Sequence, residues 1–383
     1  MPEGRLPSQR SLMTLLREEY DPFVADLGIG EPRRRPPQAL ASDIEKVLRA
    51  EATGYGPVAG LAELRNLIAE RHEFTALKPT SVENVLVTTG ATQAIYLSLL
   101  VATDGRGGEV LYPDPGFVQY VPAIRLVGAE PVPYRLPPAR QFRLTADDII
   151  RHLGAHTRAV VVNSPSNPLG HVIEREQLEM LVAECARRNI LVVSDEVYEF
   201  QCWDKRHVSA REFGDNVLVC SGVSKLFQMA GWRIGWAIGS EPLVQRLLSA
   251  AQYITFRPST VGQQVALSVL GAPAAMEQLM NETRQRRRAM AQALAALPGM
   301  EHLPQAGGLF FYVNVGNCGT DWDVALDLAK RGVAVVPSVG PGAGFGDQGF
   351  GWIRLSFAGD MRDVTEGMAV FAEYATEKGS GLA

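Results

Sequence analysis

The 383-residue sequence predicts an α/β protein: a large domain with a mostly parallel central sheet flanked by helices, plus a smaller α+β domain. Three observations carry that reading. Strand-length apolar runs alternate with longer helix-periodic segments through the middle of the chain. Several of those runs, such as VLVTT, AVVVN and ILVVS, are apolar at every other position and also between. The two ends of the chain differ in pattern from the middle. Strands apolar on both faces suit a sheet covered by helices on either side, and βαβ alternation makes such a sheet largely parallel.

Taken in order, the predicted strands of the large domain are Val85–Thr89, Glu109–Tyr112, Pro131–Tyr134, Arg158–Asn163, Ile190–Ser194, Val217–Ser221 and Ile234–Ile238. Helical patterns over Thr92–Val101 and Glu174–Arg188 lie between them. The first 40 residues are rich in Pro and Arg, with one predicted helix at Ser11–Glu19. Beyond residue 265 the pattern gives a long charged helix over Met276–Leu297, strands at Leu309–Val315 and Trp352–Phe357, and a last helix at Arg362–Glu377. The expected division is an N-terminal arm (1–40) packing with the small domain, a large domain (41–265) and a small C-terminal domain (266–383).

Composition narrows the function. With 37 Lys+Arg against 42 Asp+Glu the net charge is -5, which speaks against a basic nucleic-acid footprint. No apolar run approaches the roughly 18–20 residues of a membrane span, and MPEGRLPSQR lacks the apolar stretch of a signal peptide. Cys185, Cys202, Cys220 and Cys318 are too scattered for a disulfide framework or a Cys-x-x-Cys metal site. The expectation is a cytoplasmic enzyme without a metal centre.

Local motifs supply the chemistry. Lys225 follows the apolar run VLVCS and sits among small residues, where lost solvation would lower its pKa and let it attack a carbonyl to form a Schiff base. Thirty residues upstream, ILVVSDEVYEF ends on Asp195, Glu196 and Tyr198, and open α/β sheets bind ligands at such strand ends. A carboxylate there is the partner that a protonated pyridine nitrogen needs. VVVNSPSNPLG puts Asn163 and Asn167 in a Pro-interrupted loop after another strand, where Asn167 either donates to a ligand oxygen or simply forms a turn. In VLVTTGATQAIYL a strand passes through Gly90, Ala91 and Thr92 into a helix, exposing N–H groups suited to phosphate. No G-x-G-x-x-G dinucleotide fingerprint occurs at that turn.

These pieces together resemble the class I/II aminotransferases, fold-type I enzymes that use pyridoxal 5′-phosphate (PLP), from about Leu27 to Phe357. The motifs in chain order are GEP at 30–32, YGPVAGLAELR at 55–65, SPSNPLG, DEVY, SK…GWRIG, and PGAGFGDQGFGWIRLSFA at 341–358. The resemblance implies that Lys225 holds PLP as a Schiff base and shuttles a proton, and that Asp195 pairs with the pyridine nitrogen. It implies that Tyr198 and Asn167 bond the phenolic oxygen and that Phe117 stacks on the ring. Arg233 would clamp the phosphate with the Gly90–Ala91–Thr92 turn. Tyr55 would reach the phosphate site of the neighbouring subunit of a homodimer. Arg354 would bind the substrate α-carboxylate, helped by the backbone at Gly30.

The implied reaction moves an amino group between an amino acid and a 2-oxo acid by a ping-pong mechanism. Relatives with the same motifs catalyse β- or γ-elimination, replacement or cyclisation, which stands as the alternative. A catalytically silent regulator is a third reading, opposed by the intact Lys225, Asp195, Arg233 and Arg354. The sequence also departs from the family pattern. Gly222 replaces a serine three positions before the lysine, which shifts the expected phosphate contact to Ser221 or Ser224. Leu169 stands for the usual threonine of the N-P-T-G loop. Arg33, Arg34 and Arg35 follow GEP as either a solvated turn or an electropositive mouth, and Arg257 is a further candidate for substrate contact.

Overall fold

The computed structural model describes residues 18–20, 22–32, 45–47, 49, 54–297, 300–340 and 343–380. The expected helix Ser11–Glu19 therefore lies mostly outside the described residues, as do Arg33, Arg34 and Arg35. Within them the chain first forms a two-residue strand, β1 (Ala25–Asp26), and then the seven strands of a central sheet. These are β2 (Val85–Thr88), β3 (Glu109–Asp114), β4 (Glu130–Arg135), β5 (Thr157–Asn163), β6 (Leu191–Asp195), β7 (Val217–Gly222) and β8 (Gly235–Ile238). Their order across the sheet is β2-β8-β7-β6-β5-β3-β4. Only β8 runs against its neighbours, so the sheet is mostly parallel, as expected.

Strand periodicity explains the uninterrupted apolar runs. In β5, Val160 and Val162 enter one core while Ala159 and Val161 enter the core on the opposite face. On the first face lie helices α1 (Ala62–Ala76), α5 (Arg175–Arg187) and α7 (Thr260–Leu270). On the other face α2 (Gly90–Thr103), α3 (Tyr120–Leu126) and α6 (Glu241–Ile254) bury Leu97, Ile124 and Leu247. Short helix α4 (Ala146–Ile150) packs beside α5. With side chains alternating across the sheet, each residue of such a strand removes apolar surface from water.

The C-terminal part has its own core. Long helix α8 (Pro273–Ala295) buries Leu279 in the first core and Met290 and Leu294 in this second one. Strand β9 (Phe310–Asn314) is followed by α9 (Asp321–Lys330), β10 (Val333–Ala334), β11 (Val336–Pro337) and the hairpin β12 (Val339–Gly340) with β13 (Ala343–Gly344). Strand β14 (Trp352–Ser356) completes an antiparallel sheet ordered β11-β14-β9, and α10 (Met361–Ser380) closes the chain. β1 pairs parallel with β10, which ties the N-terminal segment to this part. Predicted strand ends differ from these by one or two residues. The sequence reading placed no helix over α1, α3, α4, α6, α7 or α9, and α7 runs unbroken through residue 265.

Candidate active site

Parallel pairing brings three strand ends side by side. Asn163 of β5 is in register with Asp195 of β6, and Asp195 with Cys220 of β7. The chain leaves β6 through Glu196–Tyr198 and β7 through the turn carrying Ser224 and Lys225, and a cavity of about 380 Å³ opens above them. Ala91, Thr92, Phe117, Asn167, Tyr198 and Arg233 also line it. Most of the expected residues are thus gathered in one place, at the end of the sheet where open α/β folds bind ligands.

Asp195 is buried at the floor. Its Oδ2 accepts from Tyr120 Oη at 2.6 Å, and its Oδ1 accepts the backbone N–H of Val197 at 3.3 Å. Burial raises its pKa to about 6, while the Tyr120 hydrogen bond works in the opposite direction. A cationic ring nitrogen at this floor would hold the carboxylate ionised. Lys225 donates from Nζ to the Gly30 carbonyl at 2.9 Å, and the same nitrogen lies 5.6 Å from the centre of the Tyr198 ring. Loss of solvent, then the nearby Arg354 charge, lowers the Lys225 pKa to about 8, against the pull of Asp195 and Glu31. An amine so depressed has a sizeable neutral, nucleophilic fraction near neutral pH.

At the other end the N-terminus of α2 and Arg233 form an anion cradle. Gly90 has φ 75°, and a Cβ on it would sit 2.4 Å from Arg233 Nη2, so only glycine lets the guanidinium lie against the turn. A Cβ on Gly235 would meet Ala91 N at 2.4 Å, so β8 presses equally closely on the turn. No acidic residue occupies the first turn of α2. Free N–H groups, helix dipole and guanidinium together fit a phosphate. The structure also accounts for Gly222: a Cβ there would lie 2.9 Å from the Ile234 carbonyl, which leaves no comfortable space for a serine.

Arg354, on β14, approaches from the C-terminal part. Its Nη1 donates to Asn167 Oδ1 at 2.9 Å and its Nη2 to the Gly28 carbonyl at 2.5 Å. The guanidinium carbon lies 4.2 Å from the Phe310 ring centre and 5.1 Å from that of Phe345, and Nε is buried without a partner. Burial lowers its pKa to about 10, so it keeps its charge at neutral pH. A Cβ on Gly30 would lie 2.8 Å from Phe310 Cζ, so glycine lets the N-terminal segment pass beside Arg354 and Lys225.

A family model described as aminotransferase class I and II matches residues 23–371. The chain belongs to the class I and II aminotransferase family. It is 32% identical over 348 residues to the aspartate aminotransferase of Bacillus subtilis, covering 88% of this chain and 87% of that relative. It is also 32% identical over 362 residues to a probable aspartate/prephenate aminotransferase of Aquifex aeolicus, covering 90% and 89% of the two chains. Among solved structures, the Thermus thermophilus aspartate aminotransferase with maleate superposes with TM-score 0.85 at 29% identity, covering 94% of each chain. The aromatic aminotransferase from Pyrococcus horikoshii gives TM-score 0.85 at 31% identity, covering 92% of this chain and 95% of that one.

In this aminotransferase some expected residues stand apart from the cavity. Ser221 turns its hydroxyl to Glu199 Oε1 at 2.5 Å and to the Glu196 carbonyl at 3.4 Å, which leaves Ser224 as the serine in the cavity wall. Tyr55 is 84% exposed and edge-on to Phe256 with ring centres 5.2 Å apart. Arg257 lies over the Phe256 ring at 4.3 Å with Nη1 buried and unpartnered. Neither Tyr55 nor Arg257 reaches the Lys225 cavity of its own chain.

Tyr120 escaped the sequence reading, and Asn163 and Glu196, named there without a role, gain one. Tyr120, three residues after Phe117 and the first residue of α3, reaches Asp195, and its ring is edge-on to Phe117 at 5.6 Å. Asn163 fixes the loop: its Nδ2 donates to the Asp195 carbonyl at 2.9 Å and its Oδ1 accepts the Asn167 N–H at 2.7 Å. The spacing of Phe117 and Tyr120 in YPDPGFVQY was the available signal for Tyr120. Behind the floor, Glu196 is buried against His207 at 2.8 Å and also accepts from Ser194 and Ser209. That pair faces away from the cavity and anchors the chain after β6. No helix among the described residues is long and apolar enough to cross a membrane, and no group of metal ligands occurs among them.

Proposed function

We propose that this aminotransferase holds PLP on Lys225 and uses it to move amino groups between an amino acid and a 2-oxo acid. The observation that carries the proposal is the convergence on one cavity of a depressed lysine, a buried carboxylate and a guanidinium-lined helix N-terminus. The bound cofactor supplies an electrophilic carbonyl and an electron sink for the charge left when the substrate Cα loses its proton. Asp195 keeps a ring nitrogen protonated, with Tyr120 fixing its orientation. Arg233, Ser224 and the N–H groups at Ala91 and Thr92 hold the phosphate. Asn167 and Tyr198 would bond the phenolic oxygen, and Phe117 would cover the ring.

Arg354 binds the substrate α-carboxylate, with Asn167 and the Gly28–Gly30 backbone holding the guanidinium in position. Lys225, freed at its Nζ, takes the proton from Cα and returns it. Its lowered pKa suits that work near neutral pH. The exposed aromatics Tyr55, Tyr253 and Phe256 support a homodimer in which Tyr55 and Arg257 serve the partner's site. The two cores support the division into an arm (1–40), a large domain (41–265) and a small domain (266–383). The four free cysteines are consistent with a cytoplasmic enzyme.

The test is a single turnover. With a reactive amino acid and no acceptor, the enzyme should release one equivalent of 2-oxo acid per site and stop, then restart when a second 2-oxo acid is added. Product accumulating past one equivalent without an acceptor would instead indicate elimination or replacement chemistry.

A further inference from the structure

A second cavity, of about 160 Å³, lies on the far side of the Asn163–Gly170 loop and shares Asn163 and Asn167 as walls with the Lys225 cavity. Its body is apolar, formed by Leu136, Phe142, Leu144, Leu169 and Ile173. Phe142 is braced edge-on against Tyr312 and Trp352, with ring centres 5.7 and 5.2 Å away, so that wall is stiff. The volume is close to that of a cavity of about 150 Å³ known to accept benzene. Leu169 is the residue that stands where the family usually has threonine, and it makes the wall apolar at this point.

The polar lining is unevenly satisfied. Tyr134 donates to the Val161 carbonyl at 2.8 Å, Ser166 accepts the His171 N–H at 3.1 Å, and Glu174 is paired with Lys205 at 3.0 Å. Asn163 and Asn167 are engaged as described above. Two groups are left. His171 Nε2 is buried with no partner, and the exposed Arg143 guanidinium makes no hydrogen bond or ion pair among the described residues. Burial, with Arg143 nearby, lowers the His171 pKa to about 4, so at neutral pH the ring is uncharged and offers one N–H. Arg143 can only donate, and His171 donates in the tautomer that carries its proton on Nε2, where a buried donor without an acceptor is costly.

We infer that this cavity is a binding site for a small apolar monocarboxylate, with its hydrocarbon body against Phe142 and Leu169 and its carboxylate on Arg143 and His171. An aromatic ring or a branched chain of similar size fills the apolar part, and a single anionic end matches the two donors. A second carboxylate would be buried against leucine and phenylalanine, so dicarboxylates are excluded.

The test is calorimetric titration of 4-fluorobenzoate into the cofactor-loaded enzyme and three variants. Arg354→Ala removes the carboxylate site of the Lys225 cavity and should leave this binding within about threefold. Arg143→Ala, an exposed change that spares the fold, should weaken it about tenfold, the effect expected for one charge-assisted hydrogen bond. Leu169→Trp narrows the apolar part and should weaken binding at least tenfold, and if that variant misfolds the Arg143→Ala result stands alone. No saturable binding to the unaltered enzyme would overturn the inference. So would binding that Arg354→Ala removes and Arg143→Ala leaves intact, because the acid would then sit in the Lys225 cavity.

Discussion

Replacing Lys225 by alanine should reduce kcat by about 10⁴-fold or more, because one side chain supplies both the covalent attachment and the proton transfer. General acid–base catalysis alone contributes about 10²–10⁴-fold, and loss of the attachment step adds to that. The fold should survive. Lys225 lies in a turn after β7, and among the described residues its side chain hydrogen-bonds only the Gly30 carbonyl. Removing a partly buried cation that pays for its own desolvation can even leave stability unchanged. The variant should still take up PLP non-covalently through Arg233, Asp195 and the α2 N-terminus. Steady-state rates and thermal unfolding of the same preparation check both halves. A variant within tenfold of the unaltered kcat would contradict the role given to Lys225.

Arg354→Ala should lower kcat/KM for amino-acid substrates by about 30-fold to several thousand-fold. That range corresponds to the roughly 2–5 kcal/mol lost when one partner of a buried charge pair is removed. The effect should appear mainly in KM, since the carboxylate clamp acts on bound substrate as well as on the transition state. Arg354→Lys should recover little, because an ammonium cannot reproduce the planar two-point contact. The substitution also has an electrostatic consequence. Arg354 is among the groups that depress Lys225, so its removal should raise the Lys225 pKa from about 8 in the cofactor-free protein. The pH midpoint for chemical modification of that lysine should move upward. An unchanged KM would mean that the α-carboxylate is held elsewhere.

Much of this arrangement was legible in the sequence, for identifiable reasons. Strands such as AVVVN announce themselves because both faces are covered, so every position must be apolar. Lys225 and Asp195 stood out because charged residues at the ends of apolar strands have few structural roles, whereas Arg354, in the middle of β14, was marked only by the family motif around it. Helices α1, α6 and α7 were less visible: α1 mixes charged and apolar positions, as in AELRNLIAERHEFTA, and its burial depends on what packs against it. Tyr120 and Asn163 act through partners 75 and 32 residues away, and pairings of that span leave no local pattern. Ser221 and Ser224 are equivalent as sequence, and only the Glu199 carboxylate separates them. The cavity behind Asn167 is a product of tertiary packing, for which Leu169 was the lone hint.

Borohydride reduction of the PLP-loaded enzyme, followed by proteolysis and mass spectrometry, tests the central claim most directly. It reports where the cofactor is attached without depending on the choice of substrate. The account predicts a pyridoxyl group on the peptide containing Ser224 and Lys225, about one per chain, and none in Lys225→Ala. Modification of a different lysine, or no retained cofactor after reduction, would contradict it.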